Sequence, residues 1–173
     1  MRIISGEFKS RLFNAPGGRR THPMSERMRN ALFNSLGDII GLHVFDAYGG
    51  SGSLAFESIS RGAAKADICE LDRRARKTIE GNIESLGLED RVLLHKANCI
   101  TWAQSVKMEF DIIYADPPYG QLSYDHLDVF TRYLSENNGL LVVSHDDDFE
   151  YETDLKLIDS KSFSRGNLSF YKK

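Results

Sequence analysis

Apolar segments of strand length alternate with segments of helical periodicity along most of this 173-residue chain. The pattern predicts strands at 42–47, 66–71, 92–95, 110–115 and 139–144, with helices at 53–61, 73–86, 101–106 and 124–135 between them. Such alternation is typical of a mostly parallel sheet with right-handed crossovers. Segments 155–163 and 167–171, joined by a tight turn, predict an antiparallel pair at the carboxyl end.

The residues before the first of these strands predict a small extension rather than a second domain. Two short β-like segments, 2–5 and 10–13, are followed by the turn signal Ala15-Pro-Gly-Gly18 and predict a hairpin or extended arm. Apolar residues then recur at helical spacing from Pro23 to the stop at Gly37. We therefore expect one domain, with an arm at 1–22, a helix at 23–37 that covers the sheet, and a catalytic core at 42–173.

Composition and charge narrow the possible partners. No apolar run approaches the ~20 residues that a membrane span needs, so we expect a cytoplasmic protein. Cys69 and Cys99 lack the spacing of a disulfide framework or a zinc site, so no metal is expected.

The charge of the chain is unevenly distributed. Residues 1–35 hold seven arginine or lysine residues and two glutamates, a net charge of +5, whereas the whole chain has a net charge of −3. A basic arm on an acidic body predicts a polyanion contact at one edge. The arginines that carry this prediction of RNA binding are Arg2, Arg11, Arg19, Arg20, Arg27 and Arg29.

A four-residue motif, Asp116-Pro117-Pro118-Tyr119, follows the apolar segment 110–115 and predicts chemistry at an exocyclic amine. The amine of an aromatic base is a weak nucleophile because its lone pair is delocalised into the ring. Acceptors around the N–H bonds draw that pair out of the plane. Asp116 offers carboxylate oxygens, and the two prolines, which donate no hydrogen bond, hold nearby carbonyls as acceptors. Tyr119 offers a flat face on which a base stacks, a contact worth about 1–3 kcal/mol. The motif therefore predicts an amine methyltransferase.

A glycine-rich turn, Tyr48-Gly49-Gly50-Ser51-Gly52, leads from the first predicted strand into the first helix after it. Residues 50–55 also satisfy the G-x-G-x-x-A form of the dinucleotide fingerprint, and Glu70 lies where an acidic residue binds ribose. An NAD-dependent oxidoreductase is therefore a competing interpretation. Asp46 favours S-adenosylmethionine, because a carboxylate suits the ammonium and sulfonium charges and would repel a pyrophosphate. Asn98, after the third strand, is a candidate for the adenine edge and equally a plain turn residue.

Together these motifs resemble the bacterial 16S ribosomal RNA guanine-N2 methyltransferases, the RsmD-like family, over essentially the whole chain. The resemblance is carried by the segments 2–11, 21–34, 44–54, 60–63 and 111–119. It departs from the family pattern at Tyr48-Gly49, where the family usually has Phe-Ala, and at His22 and Met24.

The resemblance implies a Rossmann-like class I methyltransferase fold with a seven-stranded sheet and S-adenosylmethionine as cofactor. It implies that the base is held by Asp116, Pro117, Pro118 and Tyr119. The cofactor-binding residues expected from it and from the strand ends are Asp46, Tyr48, Gly49, Gly50, Gly52, Glu70, Leu71, Asn98 and Cys99. The implied product is N2-methylguanine in 16S ribosomal RNA, within the small subunit or an assembly intermediate, made by a monomeric enzyme.

Several alternatives remain open on the residues alone. Adenine-N6 and cytosine-N4 are also exocyclic amines served by related motifs, although a chain this short shows no separate domain for reading duplex DNA. Glutamine methylation of a protein is disfavoured because it goes with Asn-Pro-Pro-Tyr. A noncatalytic RNA-binding module would bind RNA without the cofactor.

Overall fold

Seven strands and five helices make up the chain in the computed structural model, which describes residues 1–17, 24–118, 120–146, 148–164 and 166–173. The helices are α1 Glu26–Leu36, α2 Ser53–Ser60, α3 Arg73–Leu86, α4 Cys99–Ser105 and α5 Tyr124–Thr131. The strands are β1 His43–Asp46, β2 Lys65–Cys69, β3 Val92–His95, β4 Ile112–Ala115, β5 Leu140–His145, β6 Lys156–Phe163 and β7 Gly166–Lys172.

All seven strands join one sheet in the order β3-β2-β1-β4-β5-β7-β6. Strands β1 to β5 are parallel to one another, whereas β7 runs antiparallel between β5 and β6. The predicted mostly parallel sheet with an antiparallel hairpin at the carboxyl end is confirmed. Most bounds differ from the sequence prediction by a few residues. Helix α1 begins at Glu26 rather than at residue 23, β4 begins at Ile112 rather than at residue 110, and α5 ends at Thr131 rather than at residue 135. Phe110 forms only an isolated bridge, with Leu134, and that pairing requires the chain to leave α5 at Thr131 instead of continuing as a helix to residue 135.

Alternate residues of the central strands bury two different faces of the sheet. Val44 and Ile112 point into one cluster, which α1, α2 and α3 cover with residues such as Leu32, Phe56 and Ile79. Their neighbours along the chain, including Phe45 and Ile113, point into a second cluster, which contains Ala103 of α4 and Phe130 of α5. The period-2 alternation of strands therefore gives a three-layer sandwich.

The amino-terminal arm is a short antiparallel pairing that packs against α2. The amide of Ile3 donates to the carbonyl of Arg11 (3.0 Å), and the amide of Phe13 donates to that of Met1 (3.0 Å). Ile3 and Phe13 are buried in the core. The amide of Glu7 also donates to the carbonyl of Ser60, the last residue of α2 (2.7 Å). Since α2 leads into the start of β2, this part of the arm lies at the amino-terminal edge of the sheet.

Within the described ranges, no helix combines the length and apolar character needed to cross a bilayer. Both cysteines, Cys69 and Cys99, are buried free thiols.

Candidate active site

The crevice of the sheet lies between β1 and β4. Beyond β1 the chain continues to β2 on one side, and beyond β4 it continues to β5 on the other, so the loops after these strands diverge. Open α/β sheets bind ligands at such a point. Asp46 is the last residue of β1 and is paired with Tyr114 of β4, two residues before Asp116. The sheet therefore brings together the two acidic residues that the sequence motifs singled out.

Asp46 is a buried carboxyl group that lacks a full set of partners. The residue is 1% exposed, and among the described residues its Oδ1 atom has no hydrogen-bond partner. Burial, reinforced by repulsion from Asp116, raises the pKa of Asp46 to about 8. An unpartnered buried oxygen is expensive to desolvate, and a cationic ligand would offset that cost. The site therefore fits a ligand with positive charge and does not fit a pyrophosphate.

Asp116 lies one residue beyond β4 and is half-buried. Burial raises the pKa of Asp116 to about 6, while a hydrogen bond from the Ser144 side chain opposes that rise. At neutral pH the group is therefore ionised and accepts hydrogen bonds. Pro117, which is half-buried, and Pro118, which is exposed, come next, and the carbonyl of Pro118 accepts from the amide of Gln121 (3.0 Å). The predicted stacking residue Tyr119 lies outside the described residues.

The glycine turn passes very close to β2 and α2. A Cβ atom added to Gly49 would lie 2.4 Å from Cγ2 of Ile68, so no side chain fits there. Gly52 has φ +77°, and a Cβ on it would lie 2.6 Å from the Phe56 ring. The amide of Gly49 donates to the carbonyl of Cys69 (2.9 Å). The turn is thus held against the end of β2, beside Glu70.

Glu70 bridges the glycine turn and the start of α3. Its Oε2 atom accepts from the amide of Gly50 (2.7 Å), and its Oε1 atom accepts from that of Asp72 (2.7 Å). Carboxylate oxygens have further lone pairs, so the group could still accept from ribose hydroxyls. The next residue, Leu71, is an apolar side chain that is 61% exposed. An aromatic ring could be buried against it.

The cofactor candidates of the third strand end lie at the start of α4. Asn98 caps that helix, because its side-chain oxygen accepts from the amides of Ile100 (3.0 Å) and Thr101 (3.1 Å). Its side-chain nitrogen is a second, donor group. The thiol of Cys99 is buried, which raises its pKa, and it hydrogen-bonds to the Tyr48 side chain. Asn98 therefore has a structural role as helix cap, whatever it also binds.

The arginines predicted to bind RNA have different environments. The prediction for Arg29 is wrong, because its side chain is fully buried and donates to the carbonyl of Arg2 (2.8 Å). Burial also lowers the pKa of Arg29. Arg2 is paired with Glu26 (3.0 Å), and Arg11 donates to the carbonyl of Ser85 at the end of α3 (3.1 Å). Both remain exposed, as does Arg27. Arg19 and Arg20 lie outside the described residues, together with His22.

Two site residues were missed from the sequence. Ser144, which bonds Asp116, ends a predicted buried strand, and the adjacency of β4 and β5 would have placed it there. His126 carried no signal at all. Its Nδ1 atom lies 2.7 Å from the Tyr48 hydroxyl, between residues 78 positions apart in the chain.

An open cavity of about 710 Å³ lies beyond the start of α5 rather than between Asp46 and Asp116. Tyr124, Phe149 and Tyr151 line it together with four acidic side chains. That acidic lining would repel the phosphates of an RNA, so this cavity does not fit the polyanion expected from the sequence.

Known proteins resemble this chain in sequence and in fold. "Putative rRNA methyltransferase YlbH" of Bacillus subtilis is 29% identical and is aligned over 100% of this chain and 99% of its own length. "Ribosomal RNA small subunit methyltransferase D" of Escherichia coli is also 29% identical, over 82% of this chain and 69% of that protein. A solved structure, "Putative methyltransferase yhhF from Escherichia coli", has a TM-score of 0.88 at 24% identity and covers 100% of this chain and 97% of its own.

The fold of the solved neighbour confirms the predicted Rossmann-like class I methyltransferase fold. A family model described as "Conserved hypothetical protein 95" matches residues 1–172, which is nearly the entire chain. The chain therefore belongs to that family, and the resemblance to RsmD-like proteins drawn from its motifs is confirmed.

Proposed function

We propose that the protein is an S-adenosylmethionine-dependent methyltransferase that modifies the exocyclic N2 amine of a guanosine in 16S ribosomal RNA. The observation that carries the proposal is the pair of acidic residues at the crevice between β1 and β4. Asp46 ends β1 with an unpartnered buried oxygen, and Asp116 follows β4 as an ionised acceptor. Asp46 suits a cationic methyl donor, and Asp116 suits an amine whose nitrogen lone pair must be oriented.

The cofactor would be held by the residues that surround the glycine turn. The Asp46 carboxyl group would balance its positive charge, Glu70 would accept from the ribose, and Leu71 would cover an adenine face. When bound, S-adenosylmethionine supplies an electrophilic methyl group. The names of the two aligned relatives, both rRNA methyltransferases, support this chemistry and an rRNA substrate.

Asp116 would orient the nucleophile. Its carboxylate accepts an N–H of the amine and turns the nitrogen lone pair away from the ring plane. The new nitrogen–carbon bond would form as the bond between the methyl carbon and the donor sulfur breaks, with the neutral thioether as leaving group. The nitrogen would then be positively charged, and the adjacent Asp116 carboxylate would stabilise that charge before the proton leaves. No strong base is required, because an alkylated aromatic amine cation is acidic. Orientation of this kind contributes about 7–11 kcal/mol in favourable cases.

The guanine assignment rests on the family resemblance, since the same acceptors would serve an adenine or cytosine amine. The direct test is incubation of labelled S-adenosylmethionine with small ribosomal subunits that lack their own guanine methylation, followed by nucleoside analysis. We expect label in N2-methylguanine. Label in N6-methyladenine would overturn the base assignment. Calorimetric titration with S-adenosylhomocysteine and with NAD separates the methyltransferase from an oxidoreductase.

Replacement of Asp116 tests its role within the same assay. We expect Asp116→Ala to lower kcat by roughly 10²–10³, as does removal of one preorganised electrostatic partner elsewhere. The Kd for S-adenosylhomocysteine should change little, because Asp116 is assigned to the base and not to the cofactor. Turnover near that of the unmodified protein would rule out this role.

A further inference from the structure

Side-chain hydrogen bonds join the cofactor turn to the first turns of two helices at the carboxyl edge of the sheet. The Tyr48 hydroxyl, in the cofactor turn after β1, lies 2.7 Å from Nδ1 of His126 in the first turn of α5. The two rings lie nearly parallel, with centroids 6.4 Å apart and an interplanar angle of 23°. Tyr48 also bonds Cys99, the first residue of α4. One phenol thus joins the cofactor turn to the starts of α4 and α5.

The Tyr48 phenol keeps its proton, because burial raises its pKa. The Tyr48–His126 bond can run in either direction, since the role of Nδ1 depends on the tautomer of the histidine. The Tyr48 ring also packs edge-on against Phe130 (6.3 Å, 83°), so it is held in place by packing as well as by the hydrogen bond.

The position of α5 matters because this helix begins just after the catalytic motif. Only residues 120–123 separate the Asp116–Tyr119 motif from Tyr124, the first residue of α5. The amides of His126 and Leu127 donate to the carbonyl of Ser123 (3.1 and 3.2 Å), so the first turn and the end of the loop move together. A restraint on His126 therefore restrains the loop that carries the acceptors for the amine.

We infer that Tyr48 is a positioning residue whose hydroxyl, through His126, sets the catalytic loop against the cofactor turn. The expected effect on kcat rests on the proposed function, whereas the expected effect on the position of the catalytic loop does not depend on the substrate. A misplacement of about 1 Å at a reacting centre lowers rates by as much as 10²-fold. The hydroxyl therefore acts on catalysis without touching the base.

Tyr48→Phe removes the hydroxyl and keeps the ring. We expect kcat to fall roughly 10- to 100-fold, with the Kd for S-adenosylhomocysteine within about twofold, less than the loss of one net hydrogen bond. His126→Ala should cause a similar loss, and the double variant should lose no more than Tyr48→Phe alone, because both changes remove the Tyr48–His126 bond. His126→Asn retains a hydrogen-bonding group near the Nδ1 position and should recover most of the turnover lost in His126→Ala.

A matched control is Tyr151→Phe, whose hydroxyl bonds Asp128 on the same helix (2.9 Å) but comes from outside the cofactor turn. It should leave kcat unchanged. Losses from Tyr48→Phe and His126→Ala that multiply in the double variant would overturn the inference. So would a change confined to the Kd for S-adenosylhomocysteine, which would make Tyr48 a cofactor contact only.

Amide hydrogen exchange provides a readout that needs no RNA. Tyr48→Phe should make the amides of residues 120–127 exchange roughly 2- to 10-fold faster, the scale of one net hydrogen bond, while Tyr151→Phe should leave residues 120–123 unchanged. If the unmodified protein methylates no RNA, the proposed function fails, yet this measurement still decides the inference. Unchanged exchange in Tyr48→Phe would refute it.

Discussion

Two aspartates at equivalent strand ends have different protonation because their surroundings differ. Asp46 is enclosed, lacks a partner for Oδ1 among the described residues, and has a pKa raised to about 8. Asp116 receives a hydrogen bond from Ser144, and its pKa is raised only to about 6. Near neutral pH, Asp46 is thus largely protonated in the free protein and Asp116 is largely ionised. A cationic ligand would favour the ionised form of Asp46, so its binding should release a proton.

Replacement of Asp46 by asparagine tests this assignment through stability. Below about pH 4 the carboxyl group is protonated in both the folded and the unfolded chain. Between its ordinary pKa of 3.8 and about 8, only the unfolded chain ionises, so the free energy of unfolding falls as pH rises. The Asp46→Asn variant has no carboxyl group here and so does not lose this stability. Between pH 5 and pH 8 we expect its Tm to rise relative to that of the unmodified protein, by roughly 2–4 °C for each kcal/mol of unfolding free energy that the unmodified protein loses.

Thermal melts at several pH values provide the measurement, and the calorimetric Kd for S-adenosylhomocysteine provides the functional control. The variant should bind the ligand at least about tenfold more weakly, as expected when a charge partner is lost. A difference in Tm that is the same at every pH would contradict the assignment.

Ser144 should determine where activity is lost on acidification. The proposed role of Asp116 needs its ionised form, and burial raises the pKa of this carboxyl to about 6, so kcat/KM should fall as pH decreases through that value. Ser144→Ala removes a donor to the carboxylate and should shift this acidic limb to higher pH. The pH–rate profile measures the shift. The control is Ser169→Ala on the neighbouring strand β7, which removes a hydroxyl that bonds His145 of β5. It should leave the acidic limb in place.

At the scale of elements, the arm is joined to the core through a buried carboxylate of α2. Glu57 is fully buried and accepts from the amides of Ile4 (2.8 Å) and Ser5 (3.0 Å). It also pairs with Arg61 (2.8 Å) and lies 3.8 Å from Arg29 of α1. One side chain therefore connects the arm, α1 and α2. This connection explains why Arg29, which looked like part of a basic surface, is inside the protein.

Removal of the Glu57 carboxylate should be strongly destabilising. Glu57→Ala leaves two arginine side chains without their buried partner, which costs about 3–5 kcal/mol in comparable cases. Urea denaturation should show this loss, and the arm should become more sensitive to protease. Glu84→Ala, at an exposed position of α3, should change stability by no more than about 0.5 kcal/mol. A similar small effect of Glu57→Ala would show that the arm is held by apolar packing alone.

At the scale of the whole molecule, part of the basic arm lies at the edge of the sheet opposite the candidate site. The first part of the arm contacts the end of α2, and Arg11 contacts the end of α3, so both lie at the amino-terminal edge of the sheet. The crevice lies at the opposite edge. Arg11 is thus far from the candidate site, and an RNA that contacts it as well as the crevice would extend across the molecule.

Arg19 and Arg20 remain sequence-based candidates for phosphate contacts. The paired change Arg19→Ala and Arg20→Ala should weaken RNA binding and reduce the slope of log K against log salt by about one unit per lost contact. Titrations at several salt concentrations measure that slope. The matched pair Lys65→Ala and Lys107→Ala removes the same charge from the amino-terminal edge and should leave the slope nearly unchanged. Equal effects of the two pairs would indicate general attraction rather than contact.

Much of this molecule was predictable because its signals are local. The bounds of α3 and β3 match the sequence prediction, since hydrophobic period and turn chemistry depend on neighbouring residues. The motif Asp116-Pro117-Pro118-Tyr119 and the glycine turn were recognisable for the same reason, and strand alternation placed both at the carboxyl edge. The position of α1 as a covering helix also followed from its apolar spacing.

The sequence by itself determined the order of elements, the parallel sheet and the two acidic strand ends. Only the tertiary structure decided which polar groups meet: Glu57 with Arg29, Ser144 with Asp116, and Tyr48 with His126. These contacts join residues far apart in the chain, and their existence depends on packing angles and side-chain rotamers that no local pattern records. For that reason the charge of Arg29 was readable from the sequence, and its burial was not.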